Sequence, residues 1–288
     1  MSEATDKDDA IWLSSTQLSM FKQCALKWKF RYIDKLIGES TPAMVTGTFV
    51  HSVFEHLYGL PPKERTIDSA RVIAREQWNL LTETEEFKAF ELTDEDQKPF
   101  RVNSWNLIKR LWDLERPQFL NIVGLEQKVS FEITPGVQFV GFIDRLSAAS
   151  NGLVVSDYKT GKRPWKNYED DKVEQIMLYA LAVSKLQDDR VSKGQLLFLG
   201  GSQPGVISRS VTEKALEKTE QKLLADAVEI QAASTSTEWE TCVGPLCGWC
   251  DFIHLCEDGQ SYVQGRLKEG NFREDAPAVV FLRSKEPQ

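Results

Sequence analysis

Gly141-Phe142-Ile143-Asp144-Arg145-Leu146, then Asn151-Gly152, then Ser156-Asp157-Tyr158-Lys159-Thr160-Gly161 decide how this chain folds. Apolar residues from Val137 to Leu146 recur at strand spacing, and Asn-Gly is a strong hairpin signal because both positions tolerate positive φ. Leu153 to Lys159 is the return strand. Side chains alternate along a strand, so Val155, Asp157 and Lys159 share one face, with Asp157 and Lys159 roughly 7 Å apart along it. Asp and Lys at this spacing are commonly no more than solvated charges. A second carboxylate one hairpin away, Asp144, changes the chemistry on offer. Two carboxylates can hold a hard divalent cation, the cation can activate water, and the lysine can steady charge developing on a phosphate.

Upstream of the hairpin, Leu125, Gln127, Val129, Phe131 and Ile133 alternate with Glu126, Lys128, Ser130 and Glu132, a further strand. Downstream, a helix from about Asp171 to Leu186 places Gln175 and Tyr179 on one face. Strands over Gln195–Leu199 and Val206–Val211 and a helix over Thr212–Ala232 follow. Near the start, Ser14 with Gln17 reads as a capping box. It opens a helix in which Leu18, Phe21, Ala25, Trp28 and Tyr32 keep helical spacing, Cys24 lies mid-helix, and Lys22, Lys27 and Lys29 form a basic face. A second helix, Thr48 to Leu57, carries His51 and Glu55 four apart; a lone helical His is more often structural than a ligand, and His56 is read that way. Residues 60–120 form a charged helical lobe, whose interleaved Arg and Trp residues fit an amphipathic helix better than a surface for single strands. Residues 1–11 read as disordered and 260–288 as a tail.

The composition is that of a globular protein: 288 residues, 41% hydrophobic and 27% charged. No apolar run reaches membrane length, and the polar, acidic start is unlike a signal peptide, so a cytoplasmic location is expected. A net charge of −8 argues against coating nucleic acid through bulk charge. It leaves room for a local basic groove of Lys22, Lys29, Lys162, Arg163 and Lys166. No phosphate-cradling G-x-x-x-x-G-K-S/T motif is present, so no motor is visible. Cys247-Gly-Trp-Cys250-Asp-Phe-Ile-His-Leu-Cys256 is a thiolate-rich group suited to zinc or an iron–sulfur cluster. Cys24, Cys242 and His254 are candidates for a fourth ligand, and spacing alone does not choose the metal.

Taken in order, Gly47-x-x-x-His51, Gly-Phe-Ile-Asp144-Arg, Asp157-Tyr-Lys159 and Gln175-x-x-x-Tyr179 resemble the PD-(D/E)XK nuclease superfamily, most closely its RecB-like branch. The likeness runs from about Ser14 to Cys256, leaving residues 60–120 and the tail uncovered. It implies an α/β fold, a central mixed sheet flanked by helices, in one nuclease domain over 12–259. It implies that His51, Asp144, Asp157 and the backbone carbonyl of Tyr158 hold Mg²⁺ or Mn²⁺, that Lys159 is catalytic, and that Gln175 and Tyr179 contact DNA. Glu126 ranks second, because family members carry a glutamate near it whose role is less fixed. One cysteine before the core and three after it resemble the iron–sulfur, CRISPR-associated members. By that match Cys24, Cys247, Cys250 and Cys256 bind a 4Fe–4S cluster, a staple joining the N- and C-terminal regions; zinc is the alternative. The implied activity is exonucleolytic cleavage of single-stranded DNA ends, leaving 5′-phosphates, in repair, recombination or phage- and CRISPR-related processing, with a helicase or recombination protein as a possible partner. A non-catalytic scaffold of a repair complex and a zinc-stapled structural protein are the competing readings.

Overall fold

The computed structural model describes residues 10–38, 40–187 and 189–285. β1 (Ile11–Leu13), α1 (Ser15–Gln23) and α2 (Ala25–Tyr32) come first. The helices α3 (Pro42–Gly59), α4 (Ile67–Thr82), α5 (Glu85–Lys88), α6 (Asp94–Lys109) and α7 (Leu111–Leu114) follow. β2 (Asn121–Thr134), β3 (Val137–Ala149) and β4 (Gly152–Lys159) form the expected antiparallel run. α8 (Glu169–Leu186) leads to β5 (Val191–Phe198), and β6 (Gly205–Ser210) precedes α9 (Glu213–Ser234). α10 (Glu257–Lys268) and α11 (Pro277–Ser284) occupy what reads in the sequence as a tail. The expectation of disorder over 1–11 fails at Ile11, which opens β1; residues 1–9 lie outside the described residues.

The strands form one mixed sheet in the order β1-β3-β4-β5-β6, with β2 also paired to β3. β4 and β5 are parallel, a pairing that needs a crossover, and α8 supplies it. Leu153 to Tyr158 are buried without a break, as a near-continuous apolar strand covered on both faces should be. The β3–β4 turn is centred one residue earlier than Asn-Gly suggests. Ala149 pairs with Gly152, leaving Ser150 and Asn151 at the tip. Of the Asn-Gly pair only Gly152 has positive φ, at 129°.

The chain packs as two compact units. One takes Ser40–Leu224 with the described part of Met1–Trp12; the other takes Leu13–Glu39 and Ala225–Gln288, in their described residues. In the first, Phe49, Val53 and Phe54 of α3 join Ile108 and Leu111 of the helical lobe and Tyr158 and Leu197 of the sheet in one core. The lobe's aromatics behave as an amphipathic packing face. Trp78 and Trp105 lie against the core, capped by Arg101 and Arg71 at 5.5 and 5.4 Å.

In the second unit, Ile253, Val263, Val279 and Leu282 build a smaller core. Here the sequence expectation of one helix through Cys24 is corrected. The Cys24 N–H closes α1 on Met20 O at 2.9 Å, but its backbone is extended (φ −168°, ψ 113°) and it serves as the N-cap of α2. The break frees the thiol from the helix face. No helix among the described residues is long and apolar enough to cross a membrane.

Candidate active site

β3, β4 and α3 bring the carboxylates and His51 together. Asp144 Oδ2 accepts the Tyr158 N–H at 2.7 Å and lies 3.4 Å from His51 Nδ1. His51 Nε2 is 2.9 Å from Tyr158 O. The β2–β3 register, Leu125 to Arg145 and Gln127 to Ile143, sets Glu126 across from Asp144. Ligand atoms of His51, Glu126 and Asp144 all fall within 4.8 Å of one another. Glu126 reaches this point with φ of +44°, a left-handed conformation that is uncommon for a non-glycine residue and marks local strain.

Asp157 lies outside that trio. Its Oδ1 accepts from Gln175 Nε2 at 3.0 Å, and its Oδ2 is 2.7 Å from Lys159 Nζ. Gln175 also donates to Tyr179 Oη at 3.1 Å. Gln175 and Tyr179, expected as DNA contacts, are thus bonded to each other, and Gln175 also to the site's own carboxylate.

The electrostatics follow from crowding acids where water is scarce. Burial pushes Glu126 up to about 7, with Asp144's charge adding to it and His51 opposing. Burial also raises Asp157, reinforced by Asp144 and opposed by Lys159 and His51. Burial lowers His51, but its hydrogen bond to Asp144 and the charges of Asp144, Asp157 and Glu126 outweigh that and hold it at about 9. For Lys159, burial is likewise outweighed by Asp157, so the ammonium is kept charged. Anionic groups forced together in this way suit a divalent cation. His51, Glu126 and Asp144 form a group that could hold a metal ion, and Asp157, the further expected ligand, lies close enough to Asp144 and His51 to feel the charge of both.

A buried charged network supports this arrangement, and sequence reading passed it over. Arg145 is 1% exposed. It donates to both Glu115 carboxylate oxygens, to Tyr158 Oη at 2.6 Å and to Ser156 Oγ at 2.9 Å. Tyr58 Oη also donates to Glu115. The network fixes Tyr158, whose backbone N–H and C=O address Asp144 and His51. Arg145, lying between the apolar Ile143 and Leu146 in a strand read as part of the core sheet, was the signal of it.

The basic loop is divided. Arg163 is tied to Glu169 at 2.7 and 3.0 Å. Lys162 and Lys166 have no ion pair among the described residues, and Trp165 between them is 77% exposed. His56 bonds Ser52 O at 2.8 Å, a structural role as expected.

In the other unit, Cys24, Cys247, Cys250 and Cys256 line one cavity of about 140 Å³ with Phe30, Phe252 and Ile253; Cys242 lies at the same cavity. Backbone N–H groups of Gly244 and Gly259 point at the sulfurs of Cys247 and Cys256, at 3.4 and 3.3 Å. Lys22 and Lys29, expected in a basic groove, are engaged by Asp226 and Asp34, each at 2.6 Å.

A mixed sheet with flanking helices thus gathers carboxylates, a histidine and a lysine where β2, β3 and β4 meet α3. The chain belongs to the PD-(D/E)XK nuclease superfamily, whose family model matches residues 12–257. It is 24% identical to the Gene 69 protein of Mycobacterium phage L5, over 84% of this chain and 95% of that one. The Gene 69 protein of Mycobacterium phage D29 is 21% identical with the same coverage. A crystal structure from Eubacterium rectale, described as that of a candidate exonuclease, shares the fold with a TM-score of 0.56 and 12% identity, over 91% of this chain and 93% of that one.

Proposed function

We propose that the protein is a Mg²⁺- or Mn²⁺-dependent exonuclease of the RecB-like type, acting in the cytoplasm on single-stranded DNA ends and leaving 5′-phosphates. The gathering of His51, Glu126 and Asp144 beside the Asp157–Lys159 pair carries this reading. The cation, when bound, supplies a Lewis acid and a water of lowered pKa. His51, Asp144, Asp157 and the Tyr158 carbonyl would hold the cation, with Glu126 beside them, and Asp157 also pairs with Lys159 and keeps it protonated, so a cationic donor faces the phosphate or the attacking water. Lys162 and Lys166, with Trp165 exposed between them, offer backbone charge and a stacking surface to an unpaired strand. The match to phage proteins supports a phage-related setting; DNA processing there, with repair or recombination proteins, a helicase among them, as partners, follows from the RecB-like resemblance.

End-labelled single- and double-stranded DNA, incubated with and without Mn²⁺, tests the reading. Wild-type protein should shorten single strands from an end, and Lys159→Ala should not. No metal-dependent cleavage of either substrate, or equal cleavage by Lys159→Ala, overturns it.

A 4Fe–4S cluster on Cys24, Cys247, Cys250 and Cys256 completes the proposal. The four thiols line one cavity, and N–H groups aimed at sulfur suit such a centre; zinc on the same thiolates is the alternative. Anaerobically purified protein should be brown with about four irons per chain; colourless protein with stoichiometric zinc refutes the cluster.

A further inference from the structure

The glycine of Gly-Phe-Ile-Asp-Arg is not at a turn and does not have positive φ. It lies inside β3, buried, where a β-branched residue would ordinarily be favoured. A methyl group built on Gly141 would lie 2.6 Å from Tyr179 Cε1 and 3.1 Å from Tyr179 Cδ1. Real Cβ atoms do not approach a ring carbon this closely, so one of the two must move. The ring has little room to yield: Tyr179 is 6% exposed, and Phe139, fully buried, lies 3.4 Å from the same point. The Tyr179 hydroxyl in turn accepts from Gln175 Nε2 at 3.1 Å, and that nitrogen donates to Asp157 Oδ1 at 3.0 Å.

We propose that Gly141 is a positioning residue, whose missing side chain seats the Tyr179 ring against β3 so that Tyr179 and Gln175 hold the Asp157 carboxylate in place. Three separate motifs thereby become one mechanical unit. The strand bearing Asp144 admits the helix residue that orients Asp157, and Asp157 orients Lys159. A side chain at position 141 displaces Tyr179, withdraws the hydroxyl from Gln175, and releases Asp157 to turn toward Lys159 alone. Gly141 itself touches no reacting atom.

The test reads Mn²⁺ affinity by calorimetry without DNA, single-turnover cleavage, and thermal unfolding. Only the cleavage readout rests on the nuclease reading, so inactive wild-type protein would sink that reading and leave the relay testable by metal affinity. Gly141→Ala should lower Mn²⁺ affinity and kcat about tenfold each, with KM for DNA within threefold, and Gln175→Ala should reproduce both losses. In a Tyr179→Leu background, where the ring is gone, adding Gly141→Ala should change either quantity less than twofold. Effects that multiply in the double variant overturn the proposal. So does a Gly141→Ala protein that unfolds earlier yet keeps wild-type metal affinity and kcat, since that is what a purely structural glycine would show. If Gly141→Ala does not fold, the Gly141→Ala/Tyr179→Leu protein should fold as well as Tyr179→Leu; failure to do so also refutes the seat.

Discussion

At the sheet, His51, Glu126, Asp144, Asp157 and Lys159 come from α3, β2, β3 and β4, and four of them are held by a partner within the protein. Asp144 has the Tyr158 N–H, His51 the Tyr158 carbonyl, Asp157 has Gln175 and Lys159 has Asp157. At the cysteine cavity, Cys24 sits in a break between two helices, and Cys247, Cys250 and Cys256 lie in and between short 3-10 turns at Pro245–Trp249 and Ile253–Leu255. Backbone N–H groups of Gly244, Phe252 and Gly259 reach the sulfurs of Cys247, Cys250 and Cys256. One region is pre-organised by the fold; on the proposed reading the other is organised by the centre that its cysteines bind. Damage to the first should therefore cost rate and spare the fold, and damage to the second should cost the fold and reach the rate only through it.

The largest effect expected is at Asp157. Asp157→Ala removes the group that aligns Lys159, and loss of preorganised charge stabilisation typically costs 10²–10³ in kcat, about 3–4 kcal/mol. Single-stranded DNA binding measured by anisotropy in Ca²⁺ should stay within a few-fold of wild type. Near-normal cleavage by this variant would erase the distinction between the two regions.

Next comes Cys24→Ala. Cys24 and Cys247 enclose most of the chain, and the length-dependent cost of closing such a loop is on the order of 5 kcal/mol, which a centre binding only the folded chain offsets. Cys24→Ala should lose its iron and expose both ends to limited proteolysis. Cys242→Ala should keep iron and colour. The reverse pattern would reassign the ligands.

pH sharpens the comparison, because only the sheet site carries strongly shifted groups. His51 is held at about 9 in the metal-free fold against an ordinary 6.5. Its contribution to stability is full below 6.5 and lost as pH rises through 9. Glu126, raised to about 7 from 4.5, is protonated in the fold at pH values where the unfolded chain has ionised it, so it too disfavours folding as pH rises. Both act in one direction. In EDTA the unfolding temperature should fall between pH 6 and 9, and the fall should shrink in His51→Asn. Mn²⁺ affinity should climb over the same range, since binding must displace these protons. A flat unfolding temperature would contradict the crowding described here.

The smallest effect concerns the loop. Each phosphate neutralised on a single strand contributes a slope of about −0.7 in log affinity against log salt. Lys162→Ala and Lys166→Ala should each make the slope shallower by about that much. Lys22→Ala should leave it unchanged, because Asp226 already engages that charge. Equal slopes in all three would remove the loop from the DNA path.

Much of the fold was legible in the chain because its signals are local. Alternation over Val137–Leu146 and Leu153–Lys159, four-residue spacing of Gln175 and Tyr179, and turn residues between them act within one element, and the strands and helices appear where those periods place them. The break at Cys24 was illegible because apolar spacing runs unbroken through it; in the structure the extended residue ends α1, caps α2 and lines the cysteine cavity.

By itself the sequence determined which residues of the site share a strand or helix face: Asp157 with Lys159, and Gln175 with Tyr179. Only the tertiary structure decided what those faces meet. Glu126 opposes Asp144 through strand register, at a left-handed φ that no local preference asks for. Arg145 finds Glu115 thirty positions away, in a core that must pair a buried charge or exclude it. Gly141 faces Tyr179 across 38 residues, and the need for a glycine there exists only once the helix is packed on the strand. Side-chain periodicity is a property of the backbone and is written along the chain. Register, burial and close approach are properties of pairs distant in sequence, and they come into being only when the sheet and its helices assemble.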